Sequence, residues 1–310
     1  MAIGVLSPQS LQKVGAQARL WFLEIRPKFL VGSVAVAFLG TSIAWWDGFF
    51  NLTHAVLAFI GLLLWHISVQ VLNDYFDYGS GVDLKTKRTP FSGGSGILPA
   101  KLLKAESVFK LGLLSFALAV PIWIYFIIDK GLLLLPILAV QAACVLLYTP
   151  HLARWGVGEV SCGLGLGILP ILMFYFIQTG SYTTGAVVAA IPSGILFFNV
   201  HLLNQFPDIE ADEVGSKKTL PIVLGRAKAA WLYLVGNVAV YTWLMAWVAA
   251  GVIPLAALLC LVSIPLALWA IRGALRYRDE ASFTPALWAN ALFLLVTIAL
   301  LASGYIIDRI

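Results

Sequence analysis

Apolar runs of about twenty residues recur along the chain, and the polar intervals between them hold almost every charge. A helix needs roughly 20 such residues to cross the ~30 Å hydrocarbon core of a bilayer. On that spacing the sequence predicts nine spanning helices. They are Phe29–Trp46, Leu52–Leu72, Val108–Ile128, Leu132–Tyr148, Val160–Ile177, Thr184–Leu203, Ala229–Ala250, Val252–Ile271 and Ala286–Ile307. The break between the seventh and eighth rests on Gly251 and Pro254 alone. Ahead of the first span, Met1–Pro27 is polar to amphipathic and lacks the apolar core and cleavage site of a signal peptide. Its Leu20-Trp21-Phe22-Leu23 suits a position along a membrane interface. The fold class this predicts is an all-α polytopic membrane protein.

Composition sharpens this reading. Of the 310 residues, 61% are apolar and 11% charged, against ~25% charged in soluble domains. The net charge of +5 fits loop orientation in a membrane protein, not nucleic-acid binding. If the N-terminus is cytoplasmic, eighteen of the 20 basic residues fall on the inner side, leaving Lys130 and Arg309 outside. Cys144, Cys162 and Cys260 sit in apolar runs and read as small hydrophobes.

The chemistry is concentrated in two stretches, each at the end of an even-numbered span. The first runs Asn73-Asp74-Tyr75-Phe76-Asp77, then Asp83, the basic Lys85, Lys87 and Arg88, and the glycine-rich Ser92–Gly96. The second is Asn204-Gln205-Phe206-Pro207-Asp208-Ile209-Glu210-Ala211-Asp212, followed by Lys217 and Lys218. Carboxylates at the mouth of an apolar segment are costly unless neutralised. Asn73 and Asp77 share one helical face, and Asn204-x-x-x-Asp208 repeats their spacing.

Oxygen ligands with cations beyond them suit Mg2+ carrying a phosphate ester, and an apolar tunnel behind suits an isoprenyl diphosphate. Asp77, Asp208 and Asp212, with Asn73 and Asn204 as neutral donors, are the candidate catalytic and metal-holding residues. Arg88 can fork onto phosphate oxygens, and Lys217 or Lys218 can act as point charges. Tyr75, Phe76, Tyr78, Tyr148, Phe174 and Tyr175 offer aromatic faces for an allylic cation. Blander readings stand beside these. A lone acidic run is more often a solvated face, although two matched runs argue against that here. Ser92–Gly96 reads equally as a phosphate nest or a flexible loop. His54 suits the outer interface, His66 and His201 suit packing, and Glu159 suits a helix N-terminus.

These motifs resemble the UbiA superfamily of intramembrane prenyltransferases. Asn73, Asp74 and Asp77 match its first signature, Asn-Asp-x-x-Asp-x-x-x-Asp; the last position falls on Gly81, and the carboxylate comes at Asp83. Asp208-x-Glu210-x-Asp212 with Lys217-Lys218-Thr219-Leu220 matches the second, its glycine displaced to Gly215. Arg26-Pro27-Lys28, Gln70, Tyr148-Thr149, Gly156-Val157-Gly158-Glu159 and Tyr175–Gly180 are similar to the branch that prenylates 1,4-dihydroxy-2-naphthoate in menaquinone synthesis.

The resemblance implies one domain over residues 1–310, with residues 1–27 as a cytoplasmic or interfacial segment. It also implies nine transmembrane helices around a central cavity that opens to the cytoplasm, with Mg2+ as cofactor and Asp83 as a further metal ligand. In that scheme the ring carbon bearing the acceptor's carboxylate attacks the cation and carbon dioxide leaves. Arg26, Gln70, Tyr148 and Tyr75 would line the acceptor and cation site, and Arg26 or Lys28 would orient the carboxylate. The rivals are the same chemistry on 4-hydroxybenzoate, homogentisate or a glycerol-phosphate lipid, a secondary transporter, and a noncatalytic scaffold. Carboxylates gathered at one membrane face argue against transport, whose sites lie near the midplane.

Overall fold

A computed structural model describes residues 8–310, with side chains from residue 15 onward. The expectations for residues 1–7 lie outside the described residues. The chain runs α1 (Pro8–Glu24), α2 (Pro27–Trp46), α3 (Leu52–Ser80), α4 (Ala105–Lys130), α5 (Leu132–Leu146), α6 (Gly158–Thr179), α7 (Thr184–Asn204), α8 (Arg226–Ala249), α9 (Leu255–Leu275) and α10 (Glu280–Arg309). Eight of these, α2 to α4 and α6 to α10, are long and apolar enough to cross a bilayer. The fourth expected span is shorter. It comprises a 3-residue 3₁₀ turn and a 12-residue α-helix, about 24 Å in all against a ~30 Å core. The break after α8 falls where the glycine and proline predicted it, with Gly251 at φ +71° and Pro254 leading into α9.

α3 differs most from expectation. It continues past Leu72 through the whole first acidic stretch to Ser80, and Gly81 ends it at φ +83°. A left-handed residue just past a helix is a glycine position, because a Cβ clashes there. A four-residue helical turn, Val82–Lys85, then folds Asp83 back toward α3. On α1, Phe22 and Leu23 point outward, while Leu20 and Trp21 pack on an apolar cluster shared by α3 and α4.

Close helix contacts are made by small residues, as expected where lipid removes most of the hydrophobic drive between helices. A Cβ on Gly167 of α6 would lie 2.6 Å from the Gly194 Cα of α7 and 2.8 Å from the Ser193 carbonyl oxygen. Residues Gly163–Ile168 are π-helical, widening α6 beside α7. A buried polar chain ties α7, α8 and α10 together. Asn199 Nδ2 donates to Asn237 Oδ1 (3.0 Å) and to the Tyr233 carbonyl (3.2 Å), and the Tyr233 hydroxyl donates to Asn290 Oδ1 (2.8 Å).

Substituting Gly167→Ala should cost about 1–3 kcal/mol through overpacking against backbone that cannot rotate away. Gly79→Ala, at a helical position with nothing within 4 Å, should be neutral or slightly stabilising. Thermal unfolding in detergent separates the two; equal melting temperatures would show that α6 and α7 are not in backbone contact.

Candidate active site

A cavity of about 220 Å³ opens at the end of the bundle where α3 and α7 terminate. Both acidic stretches reach it. Asn73 and Asp77 project from the last turns of α3, Asp83 from the short turn after it, and Asn204, Asp208 and Asp212 from the end of α7 and the segment beyond. Lys217 closes the ring. Its Nζ lies 2.9 Å from Asp77 Oδ2 and 3.1 Å from Asp212 Oδ1, so one largely buried lysine joins the two halves. Asn73 Nδ2 donates to Asp77 Oδ2 (2.9 Å) and Thr149 Oγ1 (3.1 Å), fixing that carboxylate from the other side.

Burial governs the electrostatics of these loops. It pushes the Asp83 carboxyl up to about 8, with Asp77 and Asp74 adding to the rise. It pushes Asp208 up to about 7, helped by Asp212 and partly offset by the Ser92 hydroxyl. Asp212 is raised by burial too, with Lys217 opposing. For Lys217 itself burial disfavours the charge, but Asp77 and Asp212 outweigh it and hold the ammonium above its ordinary range. Five aspartates (74, 77, 83, 208 and 212) thus converge, and among the described residues only Arg26 and Lys217 form ion pairs with them. Asp77 Oδ1, Asp83 Oδ2 and Asp208 Oδ1 are buried without a hydrogen-bond partner. Carboxylate oxygens in that state are short of positive charge.

The glycine-rich stretch roofs the cavity. Ser92, Gly93 and Gly94 line it, and Gly94 sits at φ +62°, where a Cβ would come 2.7 Å from Asp83 Oδ2. The next residue anchors the roof: the Ser95 amide donates to Asp74 Oδ2 (2.6 Å) and its hydroxyl to Glu24 Oε2 (2.7 Å) at the end of α1. Burial raises Glu24 to about 7, and the nearby Asp74 charge reinforces that. Arg26, left-handed at φ +51° between α1 and α2, reaches Asp74 Oδ1 at 3.3 Å and faces the cavity. Arg88 donates to the Ser95 carbonyl from outside, and Lys28 to the Pro90 carbonyl.

Deeper in, the wall is apolar with two polar stations. On α3, His66 is 2.7 Å from the Ser33 hydroxyl and 3.3 Å from Gln70 Nε2; on α7, His201 is 2.5 Å from the Tyr148 hydroxyl and 2.9 Å from Gln205 Nε2. These contacts shift the register of the internal repeat. His66, Gln70, Asn73 and Asp77 share the spacing of His201, Gln205, Asp208 and Asp212, and it is Asp77 and Asp212 that meet on Lys217. The Asn204-x-x-x-Asp208 match lies four residues off this spatial equivalence.

Of the residues singled out in the sequence, the structure brings Arg26, Gln70, Asn73, Asp77, Asp83, Tyr148, Asn204, Asp208, Asp212 and Lys217 to one cavity. Arg88 and Lys218 are exposed and stand outside it. Tyr75 points away and packs on Phe109 (4.8 Å) and Phe76 (5.3 Å). Tyr78 joins the α3–α4 cluster, and the Tyr175 hydroxyl bonds Asp47 at the far end of the bundle. The aromatic lining comes instead from Phe29, Trp65, Phe91 and Phe197, with Tyr148. Glu24 carried no signal in the sequence, and Ser95, Gln205 and Thr149 stood inside stretches that did without being marked as site residues themselves. Glu159 does more than favour a helix terminus, since its Oε1 accepts from the Leu220 amide at 2.6 Å and so pins the segment that bears Lys217.

Known proteins share both sequence and fold with this chain. It is 28% identical to a 1,4-dihydroxy-2-naphthoate octaprenyltransferase of Bacillus subtilis over 84% of each chain. It is 25% identical to a 2-carboxy-1,4-naphthoquinone phytyltransferase of Synechocystis, over 96% of this chain and 97% of that one. A solved digeranylgeranylglyceryl phosphate synthase superposes with a TM-score of 0.63 at 16% identity, covering 95% of this chain and 99% of that one. A UbiA homologue from Archaeoglobus fulgidus, bound to GPP and Mg2+, gives 0.57 at 15% identity over 91% and 99%. Residues 33–295 match the UbiA prenyltransferase family, and the chain belongs to that family of membrane prenyltransferases.

Proposed function

We propose that this enzyme transfers a polyprenyl group from an isoprenyl diphosphate to 1,4-dihydroxy-2-naphthoate, as a step of menaquinone synthesis, with Mg2+ and at the cytoplasmic face. The observation that carries the reading is the charge deficit over an apolar cavity. Five converging aspartates meet two basic partners, with three carboxylate oxygens left unpartnered. The names of the naphthoate-modifying relatives favour that acceptor. The basic-residue distribution favours the orientation.

Among the described residues, no three His, Cys, Asp or Glu side chains already stand as a metal cluster. The donor chemistry nonetheless fits Mg2+, which takes hard oxygen ligands and bridges carboxylates to phosphates. Asp77, Asp83, Asp208 and Asp212, with Asn73 and Asn204, would hold it. Bound Mg2+ supplies Lewis-acid stabilisation of the charge that develops on the departing diphosphate.

The chain's own residues do the remainder. Lys217 offers an ammonium that can pass from carboxylate to phosphate oxygens without leaving the ring. Phe29, Phe91 and Phe197 exclude water and present aromatic faces to the allylic cation. From Asp77 to Leu62 the cavity follows α3 for about 22 Å, room for the apolar tail beside Trp65, whose ring stacks on Phe116 at 5.4 Å. Arg26, turned into the cavity beside Asp74, is placed to pair with the acceptor's carboxylate.

With a labelled isoprenyl diphosphate, Mg2+ and the naphthoate, Asp77→Ala and Asp208→Ala should each lower turnover by ~10³-fold, in the range for removal of one electrostatic stabiliser. Normal turnover by both would end the assignment. A second expectation concerns pH. Asp83 and Asp208 have folded-state pKa values above their unfolded ones, so the folded state binds more protons and metal-free stability falls as pH rises through about 7 to 8. Melting temperature in detergent with EDTA should therefore drop between pH 6 and 9, and excess Mg2+ should abolish the drop. A drop unchanged by Mg2+ would place the metal elsewhere.

A further inference from the structure

Below the carboxylate ring, the cavity wall carries a pair that binding of metal and diphosphate does not employ. Tyr148 follows α5 and His201 lies on α7; both line the cavity, with the Tyr148 hydroxyl 2.5 Å from His201 Nε2. Gln205 Nε2 is 2.9 Å from the same ring nitrogen. A neutral imidazole nitrogen has one lone pair, so it accepts from one of these donors at a time. Gln205 Oε1 is buried without a partner, and rotating the amide by half a turn would present it to a protonated Nε2. Gln205 can therefore serve His201 with or without a proton on Nε2. Asp77, Asp212, Glu159, Cys162 and Lys217 are the titratable groups that face the pair from α3, α6 and the segment after α7.

We propose that Tyr148 and His201 form a two-way proton relay for the hydroxyl of the aromatic acceptor. The proposal rests on the naphthoate reading above. The hydroxyl next to the carboxylate-bearing carbon gives its proton to Tyr148 Oη while the Tyr148 proton passes to His201 Nε2. That ring carbon forms the new C–C bond to the allylic carbon, whose C–O bond breaks with its electron pair leaving on the diphosphate. The bond to the carboxylate then breaks; carbon dioxide departs and the electron pair restores the aromatic ring. The acceptor oxygen, now an enolate, takes its proton back from Tyr148, and His201 returns the one it held. Atoms and electrons balance with no oxidant and no net change of protons on the enzyme. A buried pair suits this round trip, because the proton need not reach water. An acceptor that keeps its carboxylate and surrenders a ring hydrogen must export a proton instead.

In the full-length protein, Tyr148→Phe and His201→Gln should each lower kcat on 1,4-dihydroxy-2-naphthoate by ~10²-fold, the usual scale of general acid–base catalysis. KM for the isoprenyl diphosphate should stay within about threefold, since the relay places neither side chain on the diphosphate. A ring-fluorinated acceptor with a more acidic hydroxyl should recover about tenfold or more of each loss, following Brønsted behaviour. A role in packing alone predicts the same loss on both acceptors, and that result would overturn the relay. The unsubstituted enzyme gives an independent test if either variant misfolds. In single turnovers, two protons in flight bow the dependence of rate on deuterium fraction, whereas a straight or flat line refutes the relay. If the unsubstituted enzyme prenylates 4-hydroxybenzoate but not the naphthoate, acceptor and relay fall together; failure confined to the variants removes the relay alone.

Discussion

The site depends on one largely buried ammonium. Lys217 stands between Asp77, on the last turns of α3, and Asp212, beyond α7, and among the described residues nothing else joins those two carboxylates across the cavity mouth. Removing one partner of a buried ion pair typically costs 3–5 kcal/mol, because a charge is left without compensation. The segment bearing Lys217 is itself fastened, by Glu159 to the Leu220 amide and by the Lys218 amide to the Ala153 carbonyl (3.0 Å). The lysine is thus held in place by α6 and by the connection after α5 while it pairs with groups from α3 and α7. Its single charge is too small for the acids around it, and that shortfall makes the mouth receptive to a divalent cation and a phosphate ester.

Helix packing sets this polar mouth on an apolar shaft. Glycines let α6 and α7 approach to backbone contact, and α6 lines the cavity with Ser161 and Cys162 from its first turn and Gly165 from its π-helical stretch. Side chains of α3 descend from carboxylate to amide to imidazole to indole (Asp77, Asn73, Gln70, His66, Trp65) over little more than three turns. α7 and the segment beyond it present the matching series from Asp212 through Asp208 and Gln205 to His201. Polarity therefore falls with depth on both walls, the gradient required by a substrate charged at one end and greasy at the other.

Much of the fold was legible because the bilayer forbids unsatisfied backbone, so spanning segments must be helical and apolar throughout. Hydropathy follows the apolar run to Tyr148 and does not mark where the α-helix stops at Leu146 and gives way to the π-helical Tyr148–Leu152, which is why the brevity of α5 was hidden. The acidic clusters were legible as residue types at helix ends, but the direction of their neighbours was less so. Tyr75 lies two residues from both Asn73 and Asp77 and so falls on the opposite face of α3, a consequence of the 3.6-residue period once the helix is known to continue. Between Lys217 and Lys218 no periodicity decides, since both lie in an irregular segment whose path is fixed by the contacts of Glu159 and Ala153. Glu24 was invisible for a different reason. Its partner, Ser95, is seventy-one residues away, and a lone glutamate at the end of an amphipathic helix reads as a surface charge.

That last contact has a practical consequence. Because Ser95 is gripped by Glu24 through its hydroxyl and by Asp74 through its amide, the opening helix of the chain is a structural member of the chamber's ceiling. A substitution at Glu24 would therefore reach past α1, loosening the cover that Ser92–Gly94 hold over the carboxylates.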